Sequence, residues 1–417
     1  MFEALNSIRG EVRPGQGSGL MLVGDAAEEC RRLALERPGS VSLIYMDPPF
    51  GTGQQFTARL RVGEKQWKTG QGSITVPSYK DALDGESYME LMRRVLEASR
   101  TLLTDDGLVF IHLDWRMNAP VRLLADEVFG EKNFINEIVW VYETGGRSKR
   151  FFSRKHDVIL LYAKDAAYDL HIEDVAAPRP GGPGNHMKKH VDEDGRVYRT
   201  ITSGGKVYRY YDDEPVPPSD VWTDVSHLQQ KDPQRQGYDT QKPLALLERI
   251  VKCASRPGDT VMDPFCGSGT LLEAAFRLGR GFIGIDSNPM CAEYARRRTQ
   301  DGQLSVFYPP RSSSARLSAQ AVSGITSRAV YLNEFVPEEG LPPEALRGFD
   351  AVDSWAVGTV KDGVFYTLDE EIRSFRTPGL KGELYAPMGD EPLAVRVSDV
   401  LGRRSFFLLD NEGGSVS

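Results

Sequence analysis

Cysteine is scarce in this chain: there are four in 417 residues, and they are widely spaced. No pair stands at the short spacing of a zinc site, and the spacing offers no disulfide framework, so a reducing cytoplasm is the expected compartment and no metal is expected. Long apolar runs are missing as well; none approaches the ~20 residues that a membrane-spanning helix needs. The N-terminus lacks the basic-then-apolar pattern of an export signal, which points the same way. There is no general excess of positive charge. The formal net charge is −8, which bears on solubility and steering and leaves room for a local basic face.

What is present begins with length: 417 residues suffice for one large α/β domain and one or two smaller modules. The sharpest local feature is Asp47-Pro48-Pro49-Phe50. It follows Val41-Ser42-Leu43-Ile44-Tyr45-Met46, an apolar, β-branched run that predicts a buried parallel strand. Ligands of parallel α/β sheets bind beyond the carboxyl ends of the strands, so the tetrapeptide is expected at the rim of a site. Asp47 can accept two hydrogen bonds, the prolines fix the backbone so that a carbonyl points outward, and Phe50 offers a flat face. These parts suit a planar ring bearing an NH2 group. Taken alone, Asp-Pro-Pro is equally a strand-ending turn.

A second segment shifts the balance. Asp263-Pro264-Phe265-Cys266-Gly267-Ser268-Gly269-Thr270 ends the strand-like run Thr260-Val261-Met262 and leads into a helix from Leu271 to Leu278. The next strand, Phe282-Ile283-Gly284-Ile285, ends in Asp286, an acidic residue about 20 positions on. This is a βαβ unit with a Gly-rich first turn, where glycine allows close approach of the backbone to a ligand. Asp286 is placed to accept ribose hydroxyls. The turn matches neither G-x-G-x-x-G nor the P-loop pattern, and no Lys or Arg stands in it to meet phosphates. A nucleoside-type cofactor without a phosphate chain is the expectation.

On these residues the chain resembles the DNA amino-methyltransferases, S-adenosylmethionine-dependent enzymes that methylate the exocyclic amine of adenine or cytosine. Asp47-Pro48-Pro49-Phe50 is similar to their catalytic motif and Asp263 to Thr270 to their cofactor motif. The catalytic motif comes first, which is the permuted order of the β group, including bacterial type III modification subunits. Weaker matches follow in the expected order: Leu22 to Ala26, Gly107 to Asp114, Asn136 to Trp140, His156 to Tyr162, and Tyr238-Asp239-Thr240-Gln241-Lys242-Pro243. No cysteine follows a proline, so the nucleophile of cytosine-C5 methyltransferases is missing.

The resemblance implies a Rossmann-like α/β methyltransferase sheet, circularly permuted, with a small β-rich recognition insert and a C-terminal α+β module. Its boundaries fall at 1–164 for the catalytic half, 165–237 for the target-recognition insert, 238–304 for the cofactor half and 305–417 for the accessory module. It places Asp25 near the adenine of S-adenosyl-L-methionine, Asp286 at its ribose, and the Gly267–Gly269 turn, with Thr240 and Lys242, at its methionine portion. Asp263, Phe265 and Thr270 complete the cofactor set. Duplex DNA is the implied partner, with room for a restriction subunit and a homodimer.

The strongest candidate for a basic DNA face is Gly145 to Lys155, with Arg147, Lys149, Arg150, Arg154 and Lys155 interleaved with Phe151 and Phe152. Residues 52–80 read as a mobile loop beside the site. Ser87 to Leu103 reads as a helix with Met89, Met92, Leu96 and Leu103 on one stripe. Arg311 to Ala315 reads as a linker. The segment beyond it carries more acidic than basic residues and makes a poor primary DNA clamp.

The chemistry expected at Asp47 follows from the amine. Its lone pair is delocalised into the ring, and acceptance of its N–H protons by Asp47 and the Pro48 carbonyl favours a tetrahedral nitrogen. A base inside a duplex must be flipped out to reach that turn, where Phe50 would stack on it. Adenine N6 is favoured by Asp at the first motif position, since relatives acting on cytosine N4 often carry Ser there. Cytosine N4, an RNA or protein glutamine acceptor, and a non-catalytic DNA-binding protein on the same scaffold stand as alternatives.

Overall fold

The computed structural model describes residues 1–49, 55–69, 74–80, 85–142, 149–177, 187–229, 232, 234–235, 241–309, 311–341 and 348–409. Phe50, Thr240 and Arg147 lie outside the described residues.

One sheet of fourteen strands organises them. In chain order these are β1 (Gly10–Arg13), β2 (Gly19–Val23), β3 (Val41–Met46), β4 (Leu103–Leu113) and β5 (Phe134–Val141). Then come β6 (His156–Ala163), β7 (Val221–Trp222), β8 (Thr260–Asp263), β9 (Gly281–Asp286) and β10 (Leu304–Phe307). The last four are β11 (Val352–Lys361), β12 (Val364–Ile372), β13 (Ala394–Asp399) and β14 (Arg404–Leu408). Their spatial order is β7-β5-β6-β4-β3-β8-β9-β2-β10-β1-β12-β11-β13-β14. The run from β4 to β10 is parallel throughout, while β6 lies antiparallel between β4 and β5.

Continuous apolar sequence accounts for the middle of this sheet. Val41, Leu43, Ile44, Tyr45 and Met46 are all buried, because helices cover both faces. On one face pack α1 (Ala26–Glu36), α3 (Gly85–Leu102) and α4 (Asn118–Phe129); on the other pack α5 (Leu244–Ala254), α6 (Thr270–Arg277) and α7 (Met290–Arg298). A further helix, α2 (Gly63–Thr69), meets α7, with Arg297 Cζ 5.1 Å from the centroid of its Trp67 ring. In α3 the buried stripe is Tyr88, Met92, Val95 and Leu96. Leu103, expected to end that stripe, instead opens β4. The chain leaving β3 goes to α3 on one face, and the chain leaving β8 goes to α6 on the other. A crevice therefore opens between β3 and β8 at their carboxyl ends.

Within 165–237 the expected small β module is present as an antiparallel sheet of Lys188–Val191, Val197–Ser203 and Lys206–Tyr211. The described part of 52–80 differs from the loop expected there. It forms the strand pair Gln55–Leu60 and Ile74–Lys80 around α2. Leu60, Val62 and Trp67 are buried, with Leu60 against Met290 and Tyr294 of α7 and Val62 in the C-terminal core. Polar sequence between these three apolar residues masked an excursion that packs.

The C-terminal segment does not hang from a linker. Ser313 receives the expected linker into the fold: its N–H donates to Asn6 Oδ1 at 2.9 Å, its Oγ meets Ser405 Oγ at 2.7 Å, and Ala315 is buried. The physical reason is β1, which pairs with β10 on one side and β12 on the other, so a single sheet runs across the 304/305 boundary. Glu11 of β1, 1 % exposed, is the centre of a buried ion cluster with Arg296, Arg396 (3.2 Å) and Arg404 (3.1 Å). Among the described residues no helix is long and apolar enough to cross a membrane.

Candidate active site

Four neighbouring strands of the sheet each deliver an aspartate to the same rim. Asp47 follows β3, Asp263 ends β8, Asp286 ends β9, and Asp25 follows β2. All four line one cavity of about 270 Å³, together with Pro49, Lys242, Phe265, Gly267 and Thr270. The expected site residues from both halves of the sequence are thus brought together. Among the described residues of the two motifs, Pro48 does not line the cavity, and neither does Gly269. It stands at the N-cap of α6 with φ 72°, a left-handed conformation that glycine adopts without strain. Its part is to turn the chain into the helix.

The turn after β8 is held by its own carboxylates. Phe265 N–H donates to Asp263 Oδ1 at 2.9 Å. Gly267 N–H donates to Asp286 Oδ2 at 2.9 Å, and Asn288 N–H to Asp286 Oδ1 at 2.8 Å. Close packing beneath the turn requires glycine at 284, where a Cβ would stand 2.8 Å from Leu272 Cδ1 and 3.0 Å from Met21 Sδ. Asp25 has two duties: it lines the cavity and accepts the Glu28 N–H at 3.0 Å as the N-cap of α1.

Lys242 was expected at the cofactor's methionine end, and its position is more specific. Its ammonium pairs with Asp47 Oδ2 in the cavity wall. The other oxygen, Asp47 Oδ1, is buried and has no hydrogen-bond partner among the described residues. A buried acceptor without a donor is costly, of order 1–3 kcal/mol, so this atom marks where a ligand N–H belongs.

Burial pushes the Asp263 carboxyl well above the usual carboxylate range, and the charges of Asp47 and Asp286 push it the same way against the Phe265 N–H and Lys242. Asp286 is raised by burial too, opposed by the N–H groups of Asn288 and Gly267. Four carboxyl groups against one ammonium make an acceptor-rich wall. It suits a ligand carrying positive charge, hydroxyls and amines, and it disfavours a polyphosphate.

Beneath Asp47 lies a buried polar chain that sequence reasoning left without a role. Tyr45, which also lines the cavity, bonds His112 Nδ1 at 2.8 Å; His112 Nε2 meets Asp157 Oδ2 at 3.2 Å; Tyr142 Oη donates to Asp157 Oδ1 at 2.9 Å. Burial would raise the Asp157 carboxyl, but the hydrogen bond and charge of His112 hold it below its ordinary value. These residues stand in separate strands or just beyond a strand end, and only those positions hint at one another. Gln241 and Ser268 also line the cavity from within the motifs at 238–243 and 263–270, where sequence reasoning assigns them no role, and Leu91 lines it without any sequence signal of its own.

The described part of the basic stretch, Lys149, Arg150, Arg154 and Lys155, lies between the end of β5 and the start of β6. Because β6 runs antiparallel to β4, and β4 parallel to β3, this connection stands at the rim where Asp47 stands. Arg154 stacks over Trp115 with Cζ 3.7 Å from the ring centroid. The Trp115 ring follows Asp114 just past the end of β4.

A protein-family model described as DNA methylase, of the N6/N4 type, matches residues 41–297. The type II methyltransferase M.EcaI of Enterobacter cloacae is 29% identical over 307 residues, which cover 63% of this chain and 65% of that protein. The chain thus spans a little under two thirds of the length of M.EcaI. The DNA adenine methyltransferase YhdJ of Escherichia coli is 27% identical over 289 residues, 69% of this chain and 84% of YhdJ. Among solved structures, TTHA0409 of Thermus thermophilus in complex with S-adenosyl-L-methionine aligns with 21% identity and a TM-score of 0.43, over 70% of this chain and 99% of that one. The match of the family model over both halves of the aspartate-lined crevice identifies the chain as a member of the N6/N4 DNA methylase family.

Proposed function

We propose that this protein transfers a methyl group from S-adenosyl-L-methionine to the exocyclic N6 of adenine at specific sites in duplex DNA. The observation that carries the reading is Asp47 Oδ1, buried and unpartnered in an acidic cavity of about 270 Å³. Asp47 opens the catalytic motif, and YhdJ, named for adenine methylation, lends the choice of base.

The cavity fits the cofactor: its acceptors match the ammonium, the ribose hydroxyls and the positive sulfur of S-adenosyl-L-methionine. Bound there, the cofactor supplies the methyl group as an electrophile. Asp263 would take the ammonium, Asp286 the ribose, and Asp25 the neighbourhood of the adenine, with Phe265, Gly267 and Thr270 as walls. Gly269 turns the chain behind them, and Thr240 belongs to the same set by resemblance.

The chain's own residues then act on the amine. Asp47 Oδ1 accepts one N–H and the Pro48 carbonyl the other, while Pro49 fixes the turn and Phe50 stacks on the flipped base. The nitrogen gains the methyl group as the sulfur–methyl bond breaks to leave a neutral thioether, carries positive charge on the way and then releases one N–H proton to solvent; the carboxylate interaction strengthens as that charge grows. Lys242 holds the second oxygen of Asp47, so that Oδ1 stays turned to the amine. Arg147, Lys149, Arg150, Arg154 and Lys155 would meet the backbone phosphates beside the flipped base. A restriction subunit and a second copy of the chain are the protein partners to look for, by co-purification and by mass in solution.

The test is incubation with tritiated S-adenosyl-L-methionine and duplex DNA, followed by nucleoside separation, with Asp47→Ala as control. Label in N6-methyladenine is the expected result. Label in N4-methylcytosine overturns the choice of base, and label on RNA or protein but not on DNA overturns the reading.

A further inference from the structure

A second cavity, larger than the first at about 650 Å³, is lined in part by Gln234, Arg235 and Leu244. Four parts of the chain build it: α2 with the strand before it, the residues leading into α5, the pair α6 and α7, and the C-terminal module. Its lining includes Arg61, Arg235, Arg277, Arg297, Arg298 and Arg376, against a single carboxylate among the described residues, Glu273. That concentration of cations stands out in a chain of net charge −8.

Glu273 is already engaged by Arg277 and Arg298, and Arg297 is paired with Asp353. Arg61 and Arg376 have no carboxylate partner among the described residues. Instead Arg61 stacks on aromatic rings, with Cζ 3.9 Å from the Phe375 centroid and 5.1 Å from that of Trp67. Two further donors in the lining have no hydrogen-bond partner among the described residues: Arg298 Nη2, on a side chain only 4% exposed, and Trp67 Nε1, on a residue 8% exposed. Both are donors that cannot accept a hydrogen bond. The missing partner is therefore an acceptor, and the surrounding charge makes it an anion.

We propose that this cleft binds the phosphodiester backbone of the DNA substrate outside the flipped base, a second contact surface to which the C-terminal module contributes Phe375 and Arg376. The inference rests on the DNA-methylation reading of the first cavity. Its position and size favour a polymer over a free anion. More cations line it than one phosphate can use, and Phe375, 54% exposed, adds an aromatic face of the kind nucleic acids stack against. The cleft also adjoins the active cavity: Arg298 Nε donates to the carbonyl of Ser268, which lines that cavity, at 2.6 Å. A duplex held here is tied through one side chain to the cofactor turn.

The experiment measures binding of a duplex containing the methylated site, by anisotropy over a range of KCl, for wild type, Arg376→Gln, Arg376→Lys and Arg61→Gln. Arg376 is exposed, so its variants test the idea even if Arg61→Gln disturbs folding. Binding of S-adenosyl-L-methionine by calorimetry reports an intact cofactor turn. For each Gln variant the expected result is DNA affinity lowered about tenfold and a log K against log [salt] slope smaller by about 0.9. Arg376→Lys should restore the slope.

If wild type methylates DNA and the Gln variants keep its affinity and slope, this inference fails and the first reading stands. If wild type labels no DNA at all, the first reading fails with it. A thermal shift with inorganic phosphate or pyrophosphate that is lost in the variants, while their DNA slopes match wild type, would assign the cleft to a free anion and overturn the proposal.

Discussion

Lys242 and Asp47 stand 195 positions apart in the sequence and form one ion pair in the wall of the aspartate-lined cavity. The pair leaves Asp47 with one oxygen occupied and the other, Oδ1, buried with no hydrogen-bond partner among the described residues. Removing the ammonium frees the carboxylate to rotate, so Lys242→Met should lower kcat about 10- to 100-fold, with a smaller change in the KM for S-adenosyl-L-methionine. Lys242→Arg should keep part of the rate. Asp47→Ala should cost at least about 10²–10³-fold. Steady-state kinetics of the three variants check this, and wild-type kcat in Lys242→Met would rule out the orienting role.

Asp263 makes cofactor affinity depend on pH. Its carboxyl is raised by burial, so in the unliganded protein it stays protonated above the ordinary Asp value of about 3.9. The stability it contributes is full below that ordinary value and declines as pH rises through the folded value, because ionisation is harder in the fold than in the unfolded chain. A cationic ligand has the opposite preference and favours the ionised form. Affinity for S-adenosyl-L-methionine should therefore rise with pH through the raised pKa and then level off, with proton release on binding. Calorimetry in buffers of different ionisation enthalpy measures that proton. Asp263→Asn should bind weakly at every pH with the dependence flattened.

How much of this was legible in the sequence depended on whether a feature was local. The β3 strand could be read from its apolar run, and the two turns that follow β3 and β8 from Asp, Pro and Gly at fixed spacing. The three-stranded sheet between Lys188 and Tyr211 could be read from its β-rich segments. Long-range pairing could not. Nothing near Lys242 says that it meets Asp47, and nothing in Gly10–Arg13 says that this short strand joins the C-terminal segment to the main sheet. Trp67 was hidden in a polar stretch, although its burial against the C-terminal module turns an expected loop into a packed unit. Residues 305–417 show more acidic than basic charge, yet in space they bring Arg376 to the arginine-lined cleft.

The strand that joins the two parts also carries a stability prediction. Glu11 faces Arg296, Arg396 and Arg404 in the buried cluster, and Glu370 meets Arg13 at 3.0 Å and Arg396 at 3.1 Å alongside it. Removing Glu11 leaves Arg13, Arg296, Arg396 and Arg404 desolvated with only Glu370 and Glu293 to balance them. Glu11→Ala should destabilise by about 3–5 kcal/mol in urea unfolding. Replacing several members together by apolar residues of similar volume should cost far less. A loss below about 1 kcal/mol for the single change would show that water reaches the cluster.

The basic stretch at the rim gives a prediction about DNA that needs no knowledge of the recognition sequence. Arg154 is placed by its stack on Trp115, just beyond the end of β4, and β4 is the direct neighbour of the strand that leads to Asp47. A guanidinium held flat on an indole loses little freedom when it meets a phosphate, whereas Lys149, exposed on the same connection, must be ordered first. Arg154→Ala should therefore weaken binding of any duplex more than Lys149→Ala does. Each should lower the salt slope by about one unit while leaving the choice of methylated site unchanged. Trp115→Ala should reproduce part of the Arg154→Ala loss without changing the number of charges, so its salt slope should stay closer to wild type. If Trp115→Ala instead lowers the slope by a full unit and Arg154→Ala does nothing, the stack does not position the cation and the phosphate contact lies elsewhere on the rim.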